Sequence, residues 1–321
     1  MARPAAGDGR RRTTITDVAA RAGVSVPTVS RVLAGNYPVA TATRTKVLRA
    51  MRELDYVVNA HARALAGATT KTVAFLVQDI TAPFFNHIAQ GVEAQATTEG
   101  RLCLVCTTSG DPTRELAVVE LMREQHADAV ILVGGGSTRA EYRQRMTHFA
   151  RALDNAGSRL VEYDNEGGAF AMTSHLLSVG HRRIAFLGAS DDFTTAAERV
   201  AGYRRAHDAF GVPVDTDLIV RGDFTRSFGY STVARLLADG PEFTAIFAGT
   251  DMVAAGAMQA VREAGLRIPY DISVAGYDDV PLASEITPRL TTVHVPHQEL
   301  GRTAVRQALH RHEEGVSQHV V

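Results

Sequence analysis

The sequence predicts an all-α helix-turn-helix headpiece followed by a larger α/β body made of two doubly wound parallel-sheet lobes. Three observations carry this prediction. Residues 1–67 hold eleven Lys and Arg against four Asp and Glu, a formal +7, while the remaining 254 residues carry a formal −8. Inside the basic segment, two short helical runs flank a turn that a glycine opens. Beyond it, short continuous apolar runs alternate with helical stretches, the pattern of parallel strands buried on both faces.

Size and composition set the frame. A chain of 321 residues is long enough for two domains, and 45% hydrophobic with 21% charged residues excludes disorder and fibres. No apolar run is long enough to cross a bilayer, and Arg3, Pro4, Gly7, Asp8, Gly9 and Arg10 to Arg12 offer charge without the apolar centre of a signal peptide. A cytoplasmic, nucleoid-associated protein is expected. Two cysteines, Cys103 and Cys106, are too few for a disulfide framework or a four-ligand zinc site. A basic head on an acidic body suits a polyanion-binding module joined to a module for a neutral ligand or a partner, because phosphate contacts need clustered cations.

In the head, Thr16 precedes Asp17-Val18-Ala19-Ala20-Arg21-Ala22 and Gly23 ends the run, so a capped helix with a left-handed glycine terminus is expected. Ser25 is placed to cap a second helix reaching about Ala34, whose first turn tolerates Pro27. Val29, Val32 and Leu33 face inward with Val18 and Ala22, leaving Val26, Pro27, Thr28, Ser30 and Arg31 outward. A third helix, about Arg44 to Leu54, closes the core with Val47, Met51 and Leu54 and carries Arg44, Lys46, Arg49 and Arg52 on its other faces. In a helix-turn-helix the second helix enters the major groove. Arg31 could then donate two bonds to guanine O6 and N7, Val26 and Pro27 could touch thymine methyls, and Ser25, Thr28 and Ser30 would meet phosphate, with Thr16 in the same DNA-facing set.

The run Ile15-Thr16-Asp17-Val18-Ala19, Ala22-Gly23-Val24-Ser25 and Thr28-Val29-Ser30-Arg31-Val32-Leu33, continuing through Arg44 to Tyr56 and Asn59, resembles the headpiece of the lactose-repressor (LacI/GalR) family of transcription regulators. Ala60-His61-Ala62-Arg63-Ala64-Leu65-Ala66-Gly67 resembles that family's hinge helix, which folds when two subunits meet over the operator's centre. The resemblance implies DNA contacts from Asn59 and Arg63, and makes Leu65 a wedge between base steps in the minor groove. The head departs from the family at Ala34, where Asn is usual, at Ala40, where a capping Ser or Thr stands, and at Val58, where Pro stands. The missing cap at Ala40 costs about 1 kcal/mol unless Thr41 or Thr43 takes over.

In the body, strands are expected at 73–77, 102–106, 129–133, 184–187, 218–220, 245–248 and 272–276, with helices at about 84–100 and 113–125. They make two parallel sheets split near residue 160, and the pair resembles the periplasmic-binding-protein type of effector domain in the same family. The expected division is a disordered basic arm at 1–12, the DNA-binding domain at 13–58, the hinge or linker at 59–68, and an effector-binding and dimerisation domain at 69–321. Its lobes span about 69–160 and 161–290, with the C-terminal segment returning to the first lobe.

Ligands of such folds bind at the carboxyl ends of strands. Sugars need flat apolar faces and charged planar groups for paired hydroxyls, which Phe84, Phe85 and Phe224 beside Arg199, Asp251 and Asp278 would supply. The family's ligand positions fall on Phe84, Phe85, Arg199, Phe224, Thr250, Asp251 and Asp278, and His297 stands where the family often places a pocket residue. Each has a plainer use. A phenylalanine after a strand serves a core as readily as a ligand, Asp251 could cap the next helix, Asp278 and Asp279 could only shape a turn, and His297 could be a surface histidine. Arg199 is the hardest to dismiss.

Enzyme signals are weak. Gly134-Gly135-Gly136-Ser137 matches no phosphate-binding motif, Cys103 and Cys106 point to opposite faces of a strand, and there is no Gly-x-Ser-x-Gly elbow. No cofactor or metal is expected. Compared with the family, a strand and loop are missing between Ala156-Gly157-Ser158-Arg159-Leu160-Val161 and Glu162-Tyr163, and the chain ends at Val320-Val321, where relatives continue through a final strand. Both gaps are expected to weaken the body and its effector contacts.

The expected function is a homodimeric, sequence-specific DNA-binding regulator, a repressor, bound to a pseudo-palindromic operator under control of a small effector, a sugar or oligosaccharide. A purine or a phosphorylated partner protein remains open as the effector. A solute-binding module without a regulatory role, or an enzyme on doubly wound sheets, would share the body but leave the basic head unexplained.

Overall fold

The structure, a computed structural model, describes residues 13–34, 38–57, 70–133, 144, 161–190, 193–238, 240, 242–310 and 319–320. The chain divides into two units, Met1–Thr72 with Arg123–Asp128 and Val73–Met122 with Ala129–Val321. The expected arm at 1–12, the whole of the hinge at 59–68, and the Gly134–Ser137 turn lie outside the described residues.

The first unit holds three helices, α1 (Ile15–Ala22), α2 (Val26–Ala34) and α3 (Thr41–Glu53). Gly23 ends α1 at φ +67°. The cap at the start of α1 is Thr14, not Thr16. Thr14 accepts from the Asp17 N–H while the Asp17 carboxylate accepts from the Thr14 N–H at 2.8 Å, a reciprocal capping box. Of the threonines at 13, 14 and 16, only Thr14 has an acidic residue three positions on. Ser25 caps α2, its Oγ accepting from the Thr28 N–H at 3.4 Å. α3 starts three residues earlier than expected, at Thr41, and Ala40 gives it no side-chain cap. The core of the three helices is Val18, Ala19, Val29, Val32, Val47 and Ala50, all buried, with Ala22, Leu33, Met51 and Leu54 packed around them.

The second unit is α/β. The strand β1 (Thr72–Val77) leads to α4 (Pro83–Thr98), β2 (Leu102–Thr107), α5 (Pro112–Glu124) and β3 (Ala129–Leu132). β1 lies between β2 and β3 and pairs in parallel with β3 from Val73 opposite Ala129. Five of the six β1 residues are buried, as a central strand covered on both faces requires.

The next elements are β4 (Glu162–Tyr163), α6 (Asn165–Ser178), β5 (Ile184–Ala189), α7 (Thr194–Ala209), β6 (Ile219–Arg221), α8 (Arg226–Ala238), β7 (Ala245–Ala248), α9 (Asp251–Glu263), β8 (Ser273–Asp278), α10 (Leu282–Glu285), β9 (Thr291–His294), α11 (His297–Leu309) and β10 (His319–Val320). A five-stranded parallel sheet runs in the order β6-β5-β7-β8-β9. Ile184, Ala185, Phe186 and Leu187 of β5 and all of β7 are fully buried.

Three strands were absent from the sequence expectation. β9 reads Thr-Thr-Val-His, too polar for an apolar run, and β4 and β10 are two residues each, paired in parallel as a separate ladder. The segment before residue 161, where a family strand is missing, lies outside the described residues.

After β9 the chain returns to the first sheet. α11 packs along α4 and against β3. The two helices meet backbone to backbone: a Cβ on Gly91 would fall 2.0 Å from the Gln298 carbonyl oxygen, and one on Gly301 would fall 2.3 Å from that of Ile88. No other residue type fits either position without moving a helix.

Candidate functional site

The head presents one face of α2. Val29 and Val32 are buried, whereas Val26, Pro27 and Arg31 are exposed and Thr28 and Ser30 half-buried. Val26 is an exposed apolar side chain at 37%. Ser25 Oγ and Thr28 Oγ1 lie 2.9 Å apart at the start of the helix. Thr16, relieved of capping, is exposed on the first turn of α1. Asn59, Arg63 and Leu65 lie outside the described residues.

The head's cations divide by partner. Arg49 and Arg21 both hold Glu53, at 2.8 and 2.5 Å, and the Arg49 hydrogen bond keeps that carboxyl below its usual range. Among the described residues Arg31, Arg44, Lys46 and Arg52 make no ion pair and are exposed. A helix face of hydroxyls, two small apolar groups and an unpaired guanidinium, on a domain with spare cations, can meet phosphates and base edges together.

The body concentrates its buried polar groups at the carboxyl ends of β5, β7 and β8. α7 carries Arg199 into this region, where only 3% of the residue is exposed. Its Nε donates to Asn165 Oδ1 at 3.0 Å. One Nη donates to the Gly249 carbonyl, the other to Tyr163 Oη at 2.6 Å and to Asp278 Oδ1 at 3.3 Å. The guanidinium carbon stands 3.8 Å from the centre of the Tyr277 ring and 5.7 Å from that of Phe224. Asn165 is held in turn by Glu198, to which its amide donates at 3.0 Å. Burial pushes Tyr163 up to about 12 and Asp278 up to about 7, the latter against the pull of Arg199.

Phe224 owes its place to two glycines. A Cβ on Gly188 or on Gly249 would come within 2.8 Å of its ring, and Gly188 also adopts φ +100°. The ring therefore lies across the ends of β5 and β7, half-buried beside Arg199.

Thr250 and Asp251 do different work from a simple pocket lining. Thr250 caps α9, accepting from the Val253 N–H at 3.3 Å. Asp251 is fully buried, accepting from the Val280 N–H at 2.9 Å and from the Thr292 hydroxyl at 2.5 Å, and burial raises it to about 6. It thereby ties the turn after β8 to β9. In that turn Asp278 and Asp279 both take positive φ, +109° and +57°, which side-chain-bearing residues rarely adopt.

A second group gathers where α4 and α11 begin. Phe84 meets Phe85 and His297 edge to face, with ring centres 5.3 and 5.1 Å apart. Phe84 touches both sheet cores, and Phe85 packs against the first alone. His297 is buried, its Nε2 lacks a hydrogen-bond partner among the described residues, and its ring centre lies 5.9 Å from that of His87. Burial, reinforced by His87, drives its pKa down to about 4, and the charges of Asp279 and Arg199 are near enough to act on it. Among the described residues no three His, Cys, Asp or Glu are placed to hold a metal.

The structure thus joins Arg199, Phe224 and Asp278 in one cage and Phe84 with His297 in a neighbouring cluster. Sequence reasoning missed Tyr163, Asn165, Tyr277 and His87. Gly249 and Tyr277 adjoin Thr250 and Asp278 in the sequence but carried no expected role; Tyr163 and Asn165 sit at or beside the stretch where the family pattern was expected to be broken, so no motif pointed to them.

A basic helix-turn-helix head and an α/β body with an aromatic, polar cage define a DNA-binding regulator governed by a small molecule. The chain belongs to the LacI family: residues 14–59 match the model of bacterial regulatory proteins of that family, and residues 70–320 the model of periplasmic binding proteins and the sugar-binding domain of the LacI family. It is similar to the ribose operon repressor of Escherichia coli K12, 35% identical over 93% of this chain and 92% of that one. Among solved structures it resembles the Lac repressor dimer bound to operator and the anti-inducer ONPF, with a TM-score of 0.79 at 27% identity, covering 94% of this chain and 93% of that one. It also resembles the transcriptional regulator CelR in complex with cellobiose, with a TM-score of 0.68 at 32% identity, covering 95% and 96%. These relatives are transcriptional regulators, which supports that role over a solute-binding module without one. No helix among the described residues is long and apolar enough to cross a membrane.

Proposed function

We propose that this regulator is a repressor that reads a two-fold operator with paired α2 helices, and that a carbohydrate bound at the Arg199 cage adjusts its grip. Arg31, with Val26 and Pro27, would face base edges; Thr16, Ser25, Thr28 and Ser30 would meet the backbone; Asn59, Arg63 and Leu65 of the linker would reach the minor groove. The observation that carries the carbohydrate reading is the Phe224 ring lying across Gly188 and Gly249 beside Arg199 and Asp278, a flat apolar face next to paired polar groups. Phe84, Phe85, Thr250, Asp251 and His297 would complete or support that site. The CelR–cellobiose complex lends support by its ligand, and the ribose operon repressor by the operon it is named for.

The mechanism is linkage. Operator binding favours one spacing of the body lobes and effector binding another, so each ligand changes the other's affinity by one shared coupling energy, typically about 1–3 kcal/mol. Sites selected from a random duplex pool should converge on an inverted repeat bound by two chains, and a sugar from a calorimetric screen should alter that affinity. Selection that yields no symmetric site, or a protein that binds DNA as a monomer, refutes the first part; a screen in which purines bind and sugars do not refutes the second.

A further inference from the structure

We infer that the cage admits an uncharged effector and rejects the phosphorylated or carboxylated form of the same compound, with Asp278 as the residue that sets this preference. The inference rests on the reading of the cage as the effector site. It follows from how Arg199, the cation of the described cage, is already engaged. A guanidinium has five N–H donors, and four acceptors hold those of Arg199: Asn165, the Gly249 carbonyl, Tyr163 and Asp278. Its charge is balanced by Asp278, itself almost wholly buried. Behind it, the carboxylate of Asp251 accepts from the Val280 N–H and the Thr292 hydroxyl, neither of them charged, so with both acids ionised the described part of the cage carries an excess negative charge.

The surrounding groups do not reverse this balance. His294 pairs with Asp279 at 2.8 Å, and His297 stays neutral at physiological pH because burial opposes its protonation. Burial holds the pKa values of Asp251 and Asp278 up, so both carboxylates already lack solvation, and an anion brought beside them would enter only with proton uptake. A hydroxyl meets no such obstacle. Arg199 takes Oδ1 of Asp278, and the Nε2 of His297 has no partner among the described residues, so neutral hydroxyls find both an acceptor and an imidazole nitrogen.

The test uses the full-length protein and matched pairs. Calorimetric titration with ribose and ribose 5-phosphate, glucose and glucose 6-phosphate, cellobiose, and hypoxanthine as an uncharged non-sugar should find an uncharged ligand whose phosphorylated counterpart binds about 100-fold more weakly or worse. A sugar phosphate that binds as tightly as its parent overturns the inference and leaves the carbohydrate reading intact. Binding of hypoxanthine alone overturns the carbohydrate reading and leaves the inference to be decided by phosphate. Inorganic phosphate decides the matter without knowledge of the ligand: wild type should show no saturable phosphate-induced rise in melting temperature at millimolar concentration, and such a rise refutes the proposal. Asp278→Asn, which leaves the Arg199 charge unbalanced, should gain that response.

Discussion

Arg31→Ala would separate recognition from folding. Arg31 is exposed towards the end of α2 and makes no ion pair among the described residues, while the core of the head is built from Val18, Val29, Val32 and Val47. Its truncation should therefore change the stability of the head by less than about 0.5 kcal/mol. A bidentate contact with guanine is worth about 1–3 kcal/mol of discrimination, and a dimer makes it twice. The expected loss is about 2–6 kcal/mol, at least about 30-fold in affinity for the selected operator. Affinity for random duplex, carried by Arg44, Lys46, Arg52 and other backbone contacts, should barely move, and the slope of affinity against salt should stay as it is. Fluorescence anisotropy with operator and random duplex at two salt concentrations reads all three quantities. If the ratio of specific to random affinity is unchanged, or if both affinities fall in proportion, Arg31 does not read bases and the assignment of α2 as the recognition helix fails.

Other expectations concern the body. Gly188→Ala places a Cβ against the Phe224 ring at a backbone angle hostile to side chains, so the melting temperature should drop by the equivalent of about 1–3 kcal/mol with effector binding abolished; a variant that binds normally would show that the ring's seat is irrelevant. His297 has a folded pKa of about 4 against 6.5 ordinarily, so its contribution is full above pH 6.5 and is lost as the pH falls towards 4. His297→Gln should flatten that acid limb by up to about 3 kcal/mol, read as melting temperature against pH, and an unaltered limb would count against the burial argument. Asp251→Ala strands the buried Val280 N–H and the Thr292 hydroxyl and should destabilise the body by about 2–4 kcal/mol in urea, Asp251→Asn by less; equal, negligible effects would mean that Asp251 does not brace the turn after β8.

Much of this was legible in the residues because local chemistry and tertiary demand agree. Gly23 had to end α1 and Ser25 had to cap α2, and apolar runs such as Ala245-Ile246-Phe247-Ala248 can only be buried strands. Arg199 stood out because it falls on a ligand position of the family. Those partners were not legible. Asn165 lies 34 residues from Arg199 and Asp278 lies 79, and nothing local in Tyr163 or Tyr277 distinguishes a cage wall from a core ring. Thr14 was displaced by Thr16 in the reading because the pairing with Asp17 depends on a three-residue spacing that adjacent hydroxyls blur. Asp251 was expected to cap or to touch ligand; its reach across to β9 was not foreseen, because the polar letters of that strand concealed it.

The contact between α4 and α11 leaves no room for adjustment by side-chain size. Where helices meet through leucines or methionines, their spacing can drift with mutation; where one main chain rests on another at Gly91 and Gly301, it is fixed by atoms that every sequence shares. A displacement at the Phe84–His297 end must then be passed along both helices together, as through a splinted pair of rods. If the Phe84–His297 cluster belongs to the effector site, a mutational scan should find function adjustable at Phe84, His87 and His297, the side chains at the mouth of that pair, and simply broken at the two glycines.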